Sequence, residues 1–282
     1  MAVLSDVIQA YWEGSPPHKG EGEVGSLEWS QAISEHRHKV VPYLKDFINA
    51  EQYKGKLVFE IGYGAGSDLI EFSQAGAEVI GVDITDKAQE LTNMRLKAHG
   101  LGEAYPTKYN GKNLEGFADN TADLVYSNGV LHHTPYMDDL LAEAYRILKP
   151  KGTLKLMLYH KNSILYYYSI LYRRFKEGLT CTRDGMLSKY SEFREGCPYT
   201  RVFSVHEIRE KLSYFSSCRV WTDYCVYDDG VCRKLDAHKR FDVEKTGIVD
   251  IDNFFEEFNH SVELNNPLTD YGWHLLVEAT KR

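Results

Sequence analysis

The sequence predicts a doubly wound α/β fold, and three observations support that prediction. From residue 57 onward, short apolar runs typical of strands alternate with amphipathic helical patterns. This is the order that a parallel sheet covered on both faces requires. A glycine-rich turn joins the first of these strands to the first of these helices. The chain has 282 residues, 43% hydrophobic and 26% charged, which is enough apolar material for a sizeable core.

The alternating segments give the central elements in chain order. Strands are predicted at 57–62, 77–83, 122–128 and 152–160. The helical patterns SDLIEFSQAG, KAQELTNMRLKAHG and MDDLLAEAYRILK follow the first three strands. Apolar strands separated by helices pack as one sheet between two helical layers, so residues 51–160 are the predicted core.

Two stretches lie outside this alternation and are predicted to cover the core. Residues 1–50 have helical patterns interrupted by a polar, Gly- and Pro-rich segment at 13–26, which indicates a helical N-terminal lid. Residues 161–270 are predicted to form a cap over the substrate, an insertion that contributes one core strand near 218–226.

The end of the chain returns to the predicted sheet. A helical pattern at 251–264 precedes Pro267. Residues 271–282 then alternate in polarity, which is typical of a final edge strand.

Composition excludes several classes of function. The chain carries 33 Lys and Arg against 41 Asp and Glu, a net charge of −8, so no nucleic-acid partner is expected. No run approaches the roughly 18 to 20 apolar residues of a membrane-spanning helix, and the start lacks the blocks of a signal peptide. We therefore expect a cytoplasmic protein without a transmembrane segment.

The cysteines indicate neither disulfides nor a metal. There are five of them, an odd number, and none stands in a CxxC pair. Cys225 and Cys232 with His238 do not have the spacing of a tight ligand set, so we expect buried thiols and no metal.

The glycine-rich turn is the most informative motif. In VFEIGYGAGS a buried strand runs directly into Gly62, Gly64 and Gly66. Glycines there permit a sharp turn and a close approach of ligand to backbone, and the following helix offers free N–H groups. Asp83 ends the next strand, 21 residues after Gly62. At about this spacing a carboxylate accepts hydrogen bonds from ribose hydroxyls, so the motif predicts a ligand that contains a nucleoside.

The detail of the motif distinguishes between nucleoside ligands. Ser67 stands where a dinucleotide fingerprint needs its third glycine, which disfavours a nicotinamide-dependent oxidoreductase. The turn EIGYGAG, the strand end GVD, and the later SNGVLHHTP and LKPKGTLKLMLYH resemble those of the Rossmann-like (class I) S-adenosylmethionine-dependent methyltransferases, including bacterial small-molecule enzymes. The similarity covers roughly residues 55–160, and GWHLLVEATK resembles that family's last strand.

The resemblance implies a fold, a cofactor and a reaction. The fold would be a mostly parallel seven-stranded sheet with an antiparallel last strand. The cofactor would be S-adenosyl-L-methionine, whose methyl group passes to an O, N, S or C atom of a small organic acceptor, in specialised or cofactor metabolism. The alternatives are a macromolecular methyltransferase acting on RNA or protein, and a non-catalytic nucleotide-binding module. A homo-oligomer is compatible with the sequence.

The resemblance also implies a set of cofactor-binding residues. Asp83 would bind the ribose and Ile84 would pack on the adenine, while Asn110 stands in place of an aspartate that accepts from the adenine amino group. Arg37 would pair with the methionyl carboxylate. For Glu60, loop ordering is as good an interpretation as ligand contact. The full set is Glu60, Gly62, Gly64, Gly66, Asp83, Ile84, Asn110, Asn128 and Arg37.

Three residues are candidates for acting on the acceptor: His132, His133 and Tyr168. Methyl transfer depends mainly on alignment, but a neutral acceptor must lose a proton, and histidine titrates near neutrality. For the two histidines we favour a role in shaping the pocket over a role as general base.

Tyr168 belongs to an aromatic helix predicted to begin at Asn162, with one face formed by Leu165, Tyr168, Tyr172 and Phe175. The interpretations, in order of preference, are core packing of the cap, a wall of the acceptor pocket, and attachment to a membrane surface.

Overall fold

The computed structural model describes residues 4–14, 21–101, 105–178, 182–192, 195–223, 226–228, 231–233, 241, 243–264 and 268–282. Their strands are β1 (Leu57–Ile61), β2 (Glu78–Asp83), β3 (Tyr105–Lys108), β4 (Ala122–Asn128), β5 (Leu148–Tyr159), β6 (Ser217–Thr222), β7 (Val226–Asp228), β8 (Val231–Arg233) and β9 (His274–Thr280). Their α-helices are α1 (Leu4–Glu13), α2 (Leu27–Val40), α3 (Leu44–Ile48), α4 (Ser67–Gln74), α5 (Asp86–Ala98), α6 (Met137–Ile147), α7 (Arg173–Lys176), α8 (Arg183–Tyr190), α9 (Val205–Lys211) and α10 (Val249–Glu263).

Seven of these strands form one sheet in the order β3-β2-β1-β4-β5-β9-β6. The first five are parallel, and β9 runs antiparallel to both β5 and β6. The predicted fold class, a mostly parallel seven-stranded sheet with an antiparallel last strand, is confirmed. The remaining pair, β7 and β8, forms a separate antiparallel hairpin.

The prediction of a final edge strand was wrong in one respect. Strand β9 lies between β5 and β6, so it is an interior strand of the sheet. Its residues Leu275, Leu276 and Val277 are each at most 2% exposed, because both faces of the sheet are covered here. Strand β6 occupies the edge instead, and it ends at Thr222, before the predicted end of that strand.

The two faces of the sheet pack against different helices because successive strand residues point to opposite sides. On β1, Phe59 and Ile61 join a cluster with the apolar stripe of α6. Val58 joins a second cluster with α3 and with Leu69 and Phe72 of α4. Alternate residues of one strand thus bury both layers, which explains why the strands have continuous apolar sequences.

A third apolar cluster builds the cap. It joins a π-helical segment, Leu165–Tyr172, to α10 and to Trp273 just before β9. Tyr167 stacks on Phe254 of α10 with the ring centroids 4.1 Å apart. The cap is therefore anchored to the sheet by aromatic packing.

The helix predicted at 162–175 is present, but its start and its buried face differ from the prediction. Ser163, and not Asn162, accepts the hydrogen bond from the backbone N–H of Tyr166 at its start. The wider π-helical turn shifts the buried side chains away from the predicted steps of three and four residues. Phe175 is consequently 39% exposed, and the buried residues of the segment are Leu165, Tyr166, Tyr167, Ile170 and Leu171.

Two further expectations concern metals and membranes. The side chains of Cys225, Cys232 and His238 lie outside the described residues. Within the described ranges, no three or more His, Cys, Asp and Glu side chains are grouped so as to hold a metal ion. Among the helices that the structure describes, none has the length and apolar character needed to span a bilayer.

Candidate functional site

A cavity of about 1380 Å³ opens at the carboxyl ends of β1, β2 and β4. The helices that follow the neighbouring strands β1 and β4, α4 and α6, pack on opposite faces of the sheet. This leaves a crevice between the two strand ends, where ligands bind in folds of this type. Pockets for one small molecule are roughly 300 to 1,000 Å³. This cavity is therefore large enough for two ligands side by side.

The three predicted glycines serve different purposes. All have positive φ, at 79° for Gly62, 53° for Gly64 and 72° for Gly66. A Cβ on Gly62 would lie 2.4 Å from the Val130 side chain, and one on Gly66 would lie 2.6 Å from Thr92. A Cβ on Gly64 would meet no atom within 4 Å, and Gly64 lines the cavity. Gly62 also lines it, whereas Gly66 is outside the lining and begins α4.

Asp83 ends β2 at the cavity wall and is 8% exposed. Its Oδ2 accepts a hydrogen bond from the backbone N–H of Gly64 at 3.0 Å, and its Oδ1 accepts from the backbone and hydroxyl of Thr85 at 3.0 and 2.9 Å. Burial raises the pKa of Asp83, although these hydrogen bonds oppose the shift. A carboxylate can accept about four hydrogen bonds, so Oδ2 keeps capacity for a ligand hydroxyl.

Glu60 lies on β1 with its side chain at the cavity wall and only 3% exposed. Its Oε2 is buried and has no hydrogen-bond partner among the described residues. Burial, followed by the neighbouring Asp68 carboxylate, raises the pKa of Glu60 well above its usual value. Buried polar atoms are nearly always partnered, so this oxygen indicates a ligand with an N–H or ammonium donor.

Arg37 and Asn128 meet in a network that the sequence did not predict. Arg37 donates from Nε and Nη2 to the two carboxylate oxygens of Asp68, at 2.8 and 2.6 Å. Tyr126 donates its hydroxyl to Asp68 Oδ2 at 2.9 Å, and Asn128 donates to the Tyr126 oxygen at 2.8 Å. The carboxylate predicted to face Arg37 on a ligand is thus supplied by Asp68. Among the described residues, the Nη1 of Arg37 makes no hydrogen bond.

Ile84 and Asn110 both line the cavity beside Asp83. The side-chain oxygen of Asn110 already accepts from the backbone N–H groups of Lys112 and Asn113, at 2.8 and 3.1 Å. It therefore stabilises its own turn, and the predicted contact with an adenine amino group would compete with these two bonds. The packing role predicted for Ile84 is compatible with its position.

A buried cation fixes the glycine loop to the N-terminal helices. Arg95 of α5 is fully buried and donates to the carbonyl oxygen of Ala65 in the loop at 2.6 Å and to the Ser67 hydroxyl at 2.8 Å. From the other side it donates to the carbonyl oxygen of Ser30 at 2.9 Å and to the Ser34 hydroxyl at 2.7 Å, both on α2. Burial lowers the pKa of Arg95 to about 10, so it stays protonated at neutral pH.

Helix α1 covers the cavity and is attached by its last residues. The ring of Trp12 contacts the ring of His133 edge to face, with centroids 4.9 Å apart. The carboxylate of Glu13 accepts hydrogen bonds from the backbone N–H groups of Asp86 and Lys87 at the start of α5, both at 3.0 Å. Residues 15–20 lie outside the described part of the chain.

The two predicted histidines occupy different environments. His132 is 0% exposed, is absent from the cavity lining, and stacks against Tyr159 with centroids 3.8 Å apart. Neither of its ring nitrogens has a hydrogen-bond partner among the described residues. Burial, followed by His133 and His274, lowers the pKa of His132 well below its usual value. A neutral ring without access to the cavity fits packing, and the predicted role in proton transfer lacks structural support.

His133 lines the cavity, and polar groups lie near both of its ring nitrogens. Its Nδ1 lies 3.1 Å from the carbonyl oxygen of Tyr199, and its Nε2 lies 3.3 Å from Oε1 of Glu192. The Thr200 hydroxyl also lies 3.2 Å from Nδ1, whereas Nε2 makes no hydrogen bond to a described residue and interacts with Glu192 through charge. Burial alone would lower the pKa of His133, but Cys197 and Glu192 outweigh it and raise the pKa to about 9. A protonated imidazole at neutral pH has no free site for another proton, so this environment favours the role in shaping the pocket over the role as general base.

Tyr168 is not among the described residues that line the cavity. Its ring stacks on Tyr172 and packs against Phe241, with centroids 5.8 and 4.7 Å away. The π-helical turn places it on the cap's aromatic cluster, remote from the strand ends, and this placement leaves its predicted catalytic role without support. Core packing, the preferred interpretation from the sequence, agrees with its surroundings.

Glu192 could not be identified as a site residue from the sequence. This residue follows α8 in the predicted cap and lines the cavity opposite the strand ends of the core. No motif surrounds it, and only the folded chain brings it to His133. Asp68 has a local signal in the sequence, since an acidic residue in the first turn of a helix commonly marks the start of that helix. That signal does not indicate its pairing with Arg37.

Comparison with known proteins agrees with this geometry. Residues 59–156 match a family model described as a methyltransferase domain. The arsenite methyltransferase of Aquipseudomonas alcaligenes is 36% identical over 110 residues, which are 36% of this chain and 32% of that protein. The ubiquinone biosynthesis O-methyltransferase of Hahella chejuensis is 26% identical over 149 residues, covering 51% of this chain and 61% of that protein. The chain thus spans about a third of the first relative's length.

Solved structures show the same fold over more of the chain. The magnesium protoporphyrin IX methyltransferase of Synechocystis, solved with bound S-adenosylhomocysteine, aligns with 98% of this chain and 99% of its own at a TM-score of 0.56. The YcgJ protein of Bacillus subtilis aligns with 86% of this chain and 98% of its own, also at 0.56. Their identities are 15% and 18%, so the shared feature is the fold.

Proposed function

Because residues 59–156 form a methyltransferase domain of the Rossmann-like (class I) S-adenosylmethionine-dependent family, we propose that the whole chain is an enzyme that methylates a small organic acceptor. One observation carries the proposal: a single large cavity contains the glycine loop, the Asp83 carboxylate and the unpartnered Glu60 oxygen. The relatives act on different acceptors by name, so the family leaves the acceptor open.

The residues present fit S-adenosylmethionine. Asp83 keeps an acceptor site for the ribose, and Ile84 next to it offers an apolar surface for the adenine. The unpartnered Oε2 of Glu60 suits an ammonium group, and Arg37 Nη1 is a donor for a carboxylate. When bound, the cofactor supplies a methyl group on a positively charged sulfur.

The chain's own contribution is alignment and the exclusion of water. Alignment of reacting groups is worth up to roughly 7 to 11 kcal/mol, much more than one proton-transfer residue supplies. Helix α2 is fixed to the glycine loop by Arg95, while α1 closes the cavity with Trp12 and Glu13. We infer that the acceptor enters beneath α1 and is held there away from solvent.

A small molecule fits this arrangement better than RNA or protein. The net charge of −8 opposes phosphate binding. Residues of α1, among them Ile8, Tyr11 and Trp12, form part of the cavity wall, which favours a ligand of limited size.

Calorimetric titration tests the cofactor assignment directly. The protein should bind S-adenosylhomocysteine, and NAD should give no heat under the same conditions. Binding of NAD together with no binding of S-adenosylhomocysteine would overturn the proposal. A tritiated methyl donor offered with fractions of small metabolites and, separately, with total RNA then distinguishes the two acceptor classes.

A further inference from the structure

The Glu192 carboxylate is a built feature of the cavity wall that the cofactor does not require. Its Oε1 accepts a hydrogen bond from the Tyr159 hydroxyl at 2.8 Å and lies 3.3 Å from Nε2 of His133. The side chain is only 13% exposed, and it lines the cavity. Two neighbours on the core therefore fix the position of a carboxylate that comes from the cap.

The second oxygen of this carboxylate is available. Oε2 of Glu192 accepts no hydrogen bond from any residue that the structure describes, and the group lines the cavity. This oxygen is not fully buried, so the hydrogen-bond donor of a bound molecule can reach it. With Oε1 occupied by the protein, a molecule in the cavity has Oε2 left to bind.

The local charge selects the kind of donor. Nε2 of His133 lies 3.3 Å from Oε1 of Glu192, which is an ion-pair distance without hydrogen-bond geometry. Glu192 and Cys197 raise the pKa of His133 to about 9, so the imidazole is a cation that balances the carboxylate. The pair is electrically neutral as a whole, and a cationic ligand would gain little net attraction from it. An anionic ligand would be repelled by the nearest oxygen. A neutral O–H donor satisfies Oε2 without adding charge.

The surrounding surface selects the rest of the molecule. Trp12, Tyr136 and Met157 line the same cavity, and Trp12 packs over His133. Aromatic and thioether side chains favour a flat, apolar body.

We propose that Glu192 Oε2 binds the hydroxyl group of the acceptor, and that the acceptor is a neutral hydroxyl compound with a flat apolar body. This inference rests on the proposed function and deepens it, since it names the chemical class of the acceptor. Glu192 is the group that contacts the acceptor. Tyr159 and His133 are positioning residues that fix its carboxylate.

Four naphthalene probes of similar size test the inference: 2-naphthol, 2-methoxynaphthalene, 2-naphthoate and 2-naphthylmethylammonium. Each is titrated by NMR into the full chain saturated with S-adenosylhomocysteine. A charge-assisted hydrogen bond is worth about a factor of ten or more in affinity, so naphthol should bind at least about tenfold more tightly than the methyl ether. The two charged probes should bind more weakly than naphthol.

Variants assign the preference to the carboxylate. Glu192→Leu should reduce the ratio of naphthol to methoxynaphthalene affinity to near one, and Glu192→Gln should restore part of it. Tyr159→Phe removes only the hydroxyl that orients Glu192 and should lower the ratio several-fold. Glu195→Leu, at an exposed glutamate three residues further on, is the matched control and should keep the native ratio.

Several results would overturn the inference. These are an equal affinity for naphthol and its methyl ether, tightest binding of the ammonium probe, no naphthol binding at its solubility limit, or a native ratio in Glu192→Leu. If Glu192→Leu fails to fold, the probe series in the native protein and Tyr159→Phe decide. If the native protein binds S-adenosylhomocysteine but does not prefer naphthol to its methyl ether, this inference alone is refuted. If the native protein does not bind S-adenosylhomocysteine, the proposed function is refuted.

Discussion

The carboxylate of Asp83 stabilises the glycine loop by accepting hydrogen bonds from it, and it also lines the cavity, where it can accept a hydrogen bond from a ligand. Asp83→Ala should weaken S-adenosylhomocysteine binding by about 1.5 to 3 kcal/mol, through loss of charge-assisted hydrogen bonds. Calorimetric titration measures this change. Asp83→Asn keeps the shape of the side chain and should lose less binding affinity. An unchanged titration curve for the alanine variant would show that the ribose binds elsewhere.

Two glycines of the loop allow a matched comparison. Gly64→Ala places a methyl group in open space at the cavity, so the protein should fold and bind the cofactor analogue more weakly. The positive φ at residue 64 should lower the stability of the alanine variant by about 1 kcal/mol. Gly62→Ala has the same backbone strain and also collides with Val130, so it should lose clearly more stability. Urea unfolding and calorimetry on both variants separate the effects, and equal loss of stability would contradict this division.

The ion pair of His133 can be observed directly. With Glu192 intact, the imidazole should titrate in NMR near its raised pKa of about 9, and in Glu192→Gln it should titrate at lower pH. The other titratable groups around it are Cys197, His132 and Tyr159. Its folded pKa lies above the unfolded value, so its stabilising effect is complete below about pH 6.5 and is lost as the pH rises through about 9. A native midpoint near 6.5 would contradict the pair.

At the scale of elements, the attachment of α1 to the core can be tested. The Glu13 carboxylate caps the start of α5 and attaches α1 there. Glu13→Ala should accelerate hydrogen exchange in α1 and raise the dissociation rate of S-adenosylhomocysteine several-fold, while α2 keeps its protection. Glu90→Ala, at an exposed position of the same helix α5, serves as the control. Unchanged hydrogen exchange in α1 would show that the Glu13 carboxylate is not what holds this helix.

The elements differ in how far the sequence could predict them. Strands β1, β2 and β4 could be predicted from the sequence because both faces of the sheet are covered. Burial on both faces requires continuous apolar runs. The π-helical segment was not, because its geometry depends on packing against α10 and no local signal marks the wider turn. The interior position of β9 was missed for a similar reason, since the neighbour β6 comes from a region without clear periodicity.

The same contrast applies to the candidate site. Residues on the glycine loop and the strand ends were found because motif spacing follows the chain. Asp68 and Glu192 act through partners more than 30 residues away in sequence, Arg37 on α2 and His133 after β4. Only the three-dimensional fold brings such pairs together, and a single sequence has no pattern that reports them.

At the scale of the whole molecule, buried neutral histidines make the protein less stable in acid. Burial lowers the pKa of His160 to about 4 and that of His274 to about 3. Their folded pKa values lie below the unfolded value near 6.5, so their contribution is complete above about pH 6.5 and is lost as the pH falls. Each of these two histidines should lower the free energy of unfolding by about 2 kcal/mol between pH 7 and pH 5.

Urea unfolding at pH 7 and pH 5 measures this loss. His160→Asn keeps a donor for the carbonyl oxygen of Gly272, which Nδ1 of His160 contacts at 2.9 Å, but removes the titrating ring. The variant should lose less stability than the native chain over this pH interval. His206→Asn, at a side chain that is 81% exposed, should behave like the native protein. Identical pH dependence in all three proteins would contradict the assignment.

The buried guanidinium of Arg95 ties the family-matched region to a helix outside it. The matched residues begin at 59, yet this cation needs the Ser30 and Ser34 oxygens of α2 as much as those of the glycine loop. A shortened chain that begins at residue 59 would lose the α2 oxygens to which this guanidinium donates and the helix that packs over it. Any truncated version of the protein should therefore retain α2 as well as the family-matched region, and a fusion partner is better attached ahead of that helix than in its place.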